Sequence, residues 1–110
     1  MRFKQALGYH DSNVHTFYGL DEKIVVGLSE VAYGDTTVNV NITITNPRQT
    51  IIDEAIASIW RMPGEDGELL TFDIQQEMVL IVIEWNEYSP FHHHITCYEI
   101  YGGIVDIRIV

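Results

Sequence analysis

The sequence predicts a mainly β protein of the α+β class, either an antiparallel β-sandwich or a strongly curved sheet, with six to seven strands and one short helix. Three features lead to this prediction: strict alternation from Thr36 to Thr45, an apolar run from Met78 to Trp85, and the glycine pair Gly102–Gly103 between two strand-like segments. The chain has 110 residues, the length of one ordinary domain, so we predict a single domain over residues 1–110.

The run from Thr36 to Thr45 gives the strongest local signal. Val38, Val40, Ile42 and Ile44 alternate with threonine and asparagine. Successive side chains of a strand point to opposite faces, so this segment has one apolar and one uncharged polar face. The pattern is typical of an antiparallel strand with one face in water.

The remaining strands are predicted from shorter runs bounded by turn residues. The near-continuous apolar run Met78–Trp85 predicts a central strand that is covered on both faces. Gly102–Gly103 predicts a tight hairpin turn, because glycine readily adopts the positive φ angles that such turns need. The predicted strands besides Thr36–Thr45 are Asn13–Tyr18, Lys23–Val31, Leu69–Ile74, Met78–Trp85, His92–Tyr101 and Ile104–Val110.

Residues 50–61 are the segment with helical spacing. Its apolar residues recur at intervals of three and four, namely Ile52, Ala55, Ile56, Ile59 and Trp60. Thr50 is a suitable N-cap, and Met62–Gly64 would end the helix. The β-branched isoleucines also suit a strand, so the alternative of strand over 50–61 stays open.

The charge of the chain indicates what kind of partner it meets. Sixteen acidic side chains face six basic ones, for a formal net charge of −10. Such a field repels phosphate backbones, so we predict no nucleic-acid partner. The same field attracts a cationic protein and accelerates its encounter.

The cysteine content and the apolar runs indicate the cellular compartment of the protein. Cys97 is the single cysteine, so no intrachain disulfide forms, as in proteins of a reducing compartment. Residues Met1–Gln5 lack the apolar stretch of a signal peptide, and the longest apolar run, Met78–Ile83, is too short to cross a membrane. We expect a cytoplasmic protein without a membrane partner.

The region from Asp53 to Glu87 combines acidic and aromatic side chains, with Arg61 as its one basic residue. Acids that steer a cationic partner, beside aromatics that anchor it, are typical of tight binders. The alternative is a solvated acidic face above core aromatics. The predicted partner-binding residues are Asp53, Glu54, Glu65, Asp66, Glu68, Asp73, Glu84, Trp85, Glu87 and Tyr88.

No motif in the sequence is specific enough to name a reaction, so we predict a non-enzymatic protein without cofactor. The histidine triplet invites a metal interpretation, since His92 and His94 share one face of a strand while His93 points away. Two ligands do not make a transition-metal site, and the spacing supplies no others. His92 and His94 therefore remain a weak alternative metal site.

Four short segments carry a family resemblance: Gly8–Val14, Met62–Leu70, Ile83–Tyr88 and Tyr98–Gly103. In element order and in these segments, the chain resembles small β-rich immunity proteins of bacterial polymorphic toxin systems of the contact-dependent inhibition type. An aromatic-His-Asp-Ser segment opens the domain in that family. The resemblance implies a cytoplasmic antitoxin that binds a cognate toxin domain, often a nuclease, and blocks its active site.

Charge and resemblance together predict an immunity protein that neutralises a basic, nuclease-type toxin domain through an acidic, aromatic-rich surface. One alternative is a structural subunit of a virion or secretion apparatus that assembles through β-strand contacts. A second is a small metal-dependent β-barrel enzyme that uses His92 and His94. The sequence leaves the oligomeric state open.

Overall fold

The computed structural model describes residues 7–20, 22–56, 62–88 and 90–110, and these residues form ten strands of one antiparallel sheet and no helix. The mainly β prediction is confirmed, whereas the prediction of six to seven strands and one helix is wrong. The strands are β1 (Leu7–Gly8), β2 (Asn13–Leu20), β3 (Lys23–Tyr33), β4 (Thr36–Thr45), β5 (Gln49–Ile52), β6 (Ala55–Ile56), β7 (Asp66–Ile74), β8 (Met78–Tyr88), β9 (Phe91–Tyr101) and β10 (Ile104–Ile109).

The sheet consists of two halves joined by a short contact. Its strand order is β10-β4-β3-β2-β7-β8-β9-β5-β6, and β1 pairs with β3. Strands β2 and β7 pair only at Asn13 with Glu68 and at Val14 with Gly67. We call β10, β4, β3 and β2 the first half, and β7, β8, β9, β5 and β6 the second half.

The two halves share one hydrophobic core. Buried side chains from β2, β3 and β4 and from β7, β8 and β9 form a single cluster. Phe17 of the first half packs with its ring centroid 5.5 Å from that of Trp85 and 4.7 Å from that of Tyr98, both in the second half. The two halves of the sheet therefore cover each other's apolar faces.

The first half matches its sequence pattern closely. Strand β4 spans Thr36–Thr45, as predicted, and Val40, Ile42 and Ile44 are buried while their neighbours are exposed or half-buried. Strands β2 and β3 pair antiparallel, with Tyr18 opposite Val25. Here local alternation and tertiary burial agree, and the prediction is confirmed.

The predicted helix is wrong over Thr50–Ile56. Gln49–Ile52 forms strand β5, which pairs with β9, and the chain then reverses at Asp53 and Glu54, whose φ angles are 49° and 70°. The β-branched isoleucines suit this strand, as the open alternative recognised. Ile59 and Trp60, the rest of the predicted stripe, lie outside the described residues. In the described part of the chain, no helix has the length and hydropathy needed to span a membrane.

Gly102–Gly103 is not the predicted hairpin turn. Strand β9 pairs with β8 and β5, whereas β10 pairs with β4, so these glycines carry the chain from the second half to the first. Their φ angles of 73° and 89° confirm the need for glycine. A Cβ on Gly103 would lie 3.0 Å from the carbonyl oxygen of Thr45, so the close approach of the crossing chain also requires it.

Strand β8 is central in the second half, between β7 and β9, but it is covered on one face only. Val79, Ile81, Ile83 and Trp85 are buried, and the residues between them are half-buried. The prediction of coverage on both faces is therefore wrong. The partly exposed outer face of β8 becomes available as a surface.

Candidate partner-binding surface

The outer face of the second half brings together five of the predicted partner-binding residues. In the register of β7 and β8, Asp66 lies opposite Asn86 and Glu68 lies opposite Glu84, on the face opposite to buried Trp85. Paired residues of neighbouring strands share a face, and so do residues two apart along a strand. We define the acidic outer face as Asp66, Glu68 and Asp73 of β7 with Glu84 and Tyr88 of β8.

Hydrogen bonds order one end of this face. The Tyr88 hydroxyl donates to the two carboxylate oxygens of Asp66 at 3.1 and 2.9 Å, and this contact is the largest cause that raises the Tyr88 pKa. The Asn86 side-chain amide also donates to Asp66, at 3.2 Å. The backbone amide of Tyr88 donates to Glu65 Oε2 at 3.0 Å. The tyrosine ring is thus held in place although 54% of its surface is exposed.

Apolar side chains of β9 extend the face beyond the predicted residues. Phe91 is 63% exposed and Ile95 is 56% exposed, and they lie opposite Tyr88 and Glu84 in the β8–β9 register. The Phe91 ring centroid is 5.8 Å from that of Tyr88 and 5.7 Å from that of His93. Phe91 and Ile95 were not among the predicted partner-binding residues. The sequence shows that Phe91 and Ile95 are four residues apart and share a face of a strand. It does not show the β8–β9 register, which places them beside the acidic residues.

A cluster of carboxylates lies where β7 meets the loop before β2. The pKa of Glu68 is raised, mainly by partial burial, then by the charge of Asp11 and a hydrogen bond with it, and by the charge of Glu84. His10 Nε2 lies 3.3 Å from Asp11 Oδ1, and His10 Nδ1 bonds the Leu70 carbonyl oxygen at 2.9 Å. The contact with Leu70, followed by Asp11, raises the pKa of His10. When it is protonated, the His10 imidazole offsets part of the repulsion among the carboxylates.

We expect Glu68→Gln to stabilise the fold near neutral pH. A raised folded-state pKa means that protonated Glu68 contributes stability that is fully present below its ordinary pKa of 4.5 and is lost as the pH rises through the folded-state pKa. Removing the charge should add about 0.5 kcal/mol at neutral pH, after allowance for solvent screening, and almost nothing in acid. Urea unfolding across this pH range measures the difference.

Glu77→Gln is the matched control for that experiment, since it removes the same charge from the exposed turn before β8. It should not raise the free energy of unfolding at neutral pH as Glu68→Gln does. A Glu68→Gln protein that is less stable than the wild type at neutral pH would contradict the repulsion assigned to this cluster.

Trp85, predicted to contact a partner, is instead a core residue. Its side chain is fully buried, and its indole Nε1 donates to the Tyr98 hydroxyl at 2.9 Å. Burial raises the Tyr98 pKa to about 12, so the phenol stays protonated. Trp85 cannot form part of a contact surface in this fold, and its assignment to one is wrong.

Asp53 and Glu54 lie apart from the acidic outer face, in the exposed turn between β5 and β6. The backbone amide of Asp53 donates to the Cys97 carbonyl oxygen at 2.9 Å, and its Oδ1 accepts from the Cys97 amide at 2.8 Å. The carboxylate thereby takes the place of a ladder carbonyl after β5 ends. The side chain of Glu54 is exposed next to Asp53.

The remaining predicted residues fall on both sides of the β8–β9 hairpin. Glu65 adjoins the acidic outer face through its bond to Tyr88. Glu87 lies opposite His92, on the other face of the hairpin, and His94 lies opposite Trp85. The His92 and His94 ring centroids are 6.0 Å apart. No group of three or more His, Cys, Asp and Glu side chains in the described residues could hold a metal ion.

The charge of the second half is uniformly negative. The described residues between 49 and 101 contain no lysine or arginine. The basic residues that the structure describes, Lys23, Arg48 and Arg108, lie outside this range, and Arg108 is paired with Asp106 at 2.7 Å. Among the described residues, therefore, no lysine or arginine of β7 or β8 neutralises the carboxylates of the acidic outer face.

Comparisons with known proteins assign no relative. No family model, curated protein or solved structure matches this chain. The resemblance to immunity proteins therefore stays a prediction.

Proposed function

We propose that this chain is a cytoplasmic immunity-type protein that binds and neutralises a basic toxin domain of the nuclease type. One observation carries the proposal: the acidic outer face sets Asp66, Glu68 and Glu84 beside the exposed rings of Tyr88 and Phe91. Such a surface offers charge for encounter and aromatic area for burial. These are the two components of a tight complex with a cationic protein.

The carboxylates suit a partner that grips phosphates. Asp66 and Glu68 are two residues apart on β7, so they form a row along one strand, and Glu84 stands beside that row on β8. A nuclease binds the repeated charges of a nucleic-acid backbone with lysine and arginine. A row of carboxylates on a rigid sheet can occupy such a groove and exclude the substrate.

The hydrogen bonds of the surface favour binding because they exist before the partner arrives. Asp66 holds the Tyr88 hydroxyl, and Glu65 holds its backbone amide. Ordering side chains during association costs about 0.5–1.5 kcal/mol for each rotamer-rich group. A ring that is already positioned avoids part of this cost.

Binding to a toxin domain tests the proposal. The probe is the C-terminal domain of the large secreted protein that an immunity function requires a neighbouring gene to encode. Glu68→Lys/Glu84→Lys should weaken binding at least tenfold, because it replaces two attractive charges by repulsive ones. The matched control is Glu30→Lys/Asp35→Lys, which makes the same charge change at exposed positions of the first half. Calorimetric titration of both variants gives the dissociation constants.

Salt dependence and gene context complete that test. The association rate with the wild type should fall as salt rises, since screening shortens the reach of the acidic field. Equal weakening by the two double variants would contradict the assigned surface. A gene neighbourhood made only of structural phage genes would contradict the immunity function itself.

A further inference from the structure

Strand β10 forms one edge of the sheet. It stands at the end of the strand order, and among the described residues no strand pairs with its far side. Its six residues pair with β4 in an unbroken register from Ile104–Thr45 to Ile109–Val40. The edge is therefore straight, without the bulge that often twists an edge strand away from other chains.

This edge lacks the usual protection against pairing. Ile104 is 71% exposed, Ile109 is 37% exposed and Val110, the next residue, is 68% exposed. Ile104–Ile109 contains no proline and no lysine, and its two charged residues, Asp106 and Arg108, pair with each other and give the strand no net charge. An exposed, regular and largely apolar edge is a template for another strand.

The ladder with β4 determines which backbone groups of β10 are free. The Val110 amide donates to the Asn39 carbonyl oxygen at 2.9 Å, at the position that follows the Ile109–Val40 pair of the register. Hydrogen-bonded and non-bonded pairs alternate in an antiparallel ladder, so Asp106 and Arg108 also direct their backbone groups to β4. Val105, Ile107 and Ile109 consequently direct theirs outward.

We propose that β10 pairs antiparallel with β10 of a second copy of this chain, about a twofold axis through Ile107. Ile107 then faces its own counterpart, and Val105 faces Ile109 of the second copy. These are the residues with outward-directed backbone groups, so the pairing makes three hydrogen-bonded pairs. Ile104 of each copy lies opposite Val110 of the other, which covers the two most exposed apolar residues of the edge.

Charge selects the second copy as the occupant and also selects the register. With the axis at Ile107, Asp106 of each copy lies opposite Arg108 of the other, in non-hydrogen-bonded pairs whose Cα atoms are about 4.5 Å apart. Within one chain, Arg108 Nε already donates to Asp106 Oδ2 at 2.7 Å, so both groups lie on one face. Moving the axis to Asp106 or to Arg108 would instead bring like charges together.

Light scattering after size-exclusion chromatography tests the proposal on the full chain. The wild type should reach about twice its 12.6 kDa mass as its concentration is raised. Asp106→Arg and Arg108→Asp should each weaken self-association by about tenfold, because each variant places like charges opposite one another. An equimolar mixture of the two variants should form a dimer again, since their charges are complementary.

The mixture distinguishes loss of pairing from loss of folding, because misfolded chains would not recover on mixing. Asp35→Arg, at an exposed turn away from the edge, is the matched control and should remain dimeric. A wild type that stays monomeric across the concentration series would overturn the proposal. Dimers that are unaffected by Asp106→Arg and Arg108→Asp, or variants that do not recover on mixing, would overturn it as well.

Discussion

Trp85→Ala is expected to lower the free energy of unfolding by about 4 kcal/mol, the usual result of removing a large aromatic from a core. The Trp85 side chain is fully buried and stands edge-to-face against Phe17, which belongs to the other half of the sheet. Its removal therefore leaves a cavity at the contact between the halves, and the hydroxyl of Tyr98 loses the indole donor. Urea denaturation followed by circular dichroism measures the change.

Two further variants separate the parts of that effect. Tyr98→Phe keeps the ring but removes the acceptor of the indole N–H, so it should cost about 1–3 kcal/mol. Ile95→Ala, on the exposed face of the neighbouring strand, should change stability by no more than about 0.5 kcal/mol. If Trp85→Ala were as mild as Ile95→Ala, Trp85 would not be the core residue described here.

Gly67→Ala is expected to cost about 2–3 kcal/mol, a typical penalty for overpacking. Gly67 is buried on β7, directly opposite Trp85 in the register. A Cβ at this position would lie 2.8 Å from Cε3 and from Cζ3 of the Trp85 ring and 2.9 Å from Cγ2 of Ile83. The ring is held by Phe17 and Tyr98 and has little room to move. Thermal and urea unfolding report the loss.

A double-mutant cycle checks that the ring is the cause. A Trp85→Phe background lacks the indole atoms Cε3 and Cζ3, which a Cβ on residue 67 would approach. In this background Gly67→Ala should lower the free energy of unfolding by less than it does in the wild type. The coupling between neighbouring core residues is commonly about 0.5–3 kcal/mol. Equal costs in both backgrounds, or a Gly67→Ala protein as stable as the wild type, would contradict this packing.

Alternation predicted the strands best where burial was one-sided. Strand β4 has a strict two-residue pattern, and its bounds and its buried face follow from the sequence alone. A shift of one residue would bury asparagine and expose valine and isoleucine, so the local pattern and the tertiary fold impose the same register. For strand β8 the predicted coverage on both faces was wrong, because all residues from Met78 to Ile83 are apolar although only alternate ones are buried.

Local sequence patterns did not predict which strands pair with one another. Gly102–Gly103 has the positive φ angles of a hairpin turn, but whether the next strand pairs with β9 or crosses to β4 depends on residues far away in the chain. Residues Thr50–Ile56 have a spacing that fits a helix, and the ladder with β9 decided for a strand. Tertiary hydrogen bonding overrode a weak local preference there.

The acidic outer face was predictable in part. Glu68 and Glu84 were identified from the density of acids, and strand parity could have shown that Trp85 points with Ile83 into the core. The contribution of Phe91 required the register between β8 and β9, which no local pattern provides. The sequence thus predicted the acidic residues of this surface. Of its two exposed rings, it predicted Tyr88 but not Phe91.

Toxin neutralisation tests the proposed function most directly. The activity of the proposed toxin domain is measured while each purified variant is added. The wild type and Glu30→Lys/Asp35→Lys should abolish the activity near one equivalent, and Glu68→Lys/Glu84→Lys should fail at that ratio. Equal neutralisation by both double variants would contradict the acidic outer face as the binding site, and no inhibition by the wild type would contradict the immunity function.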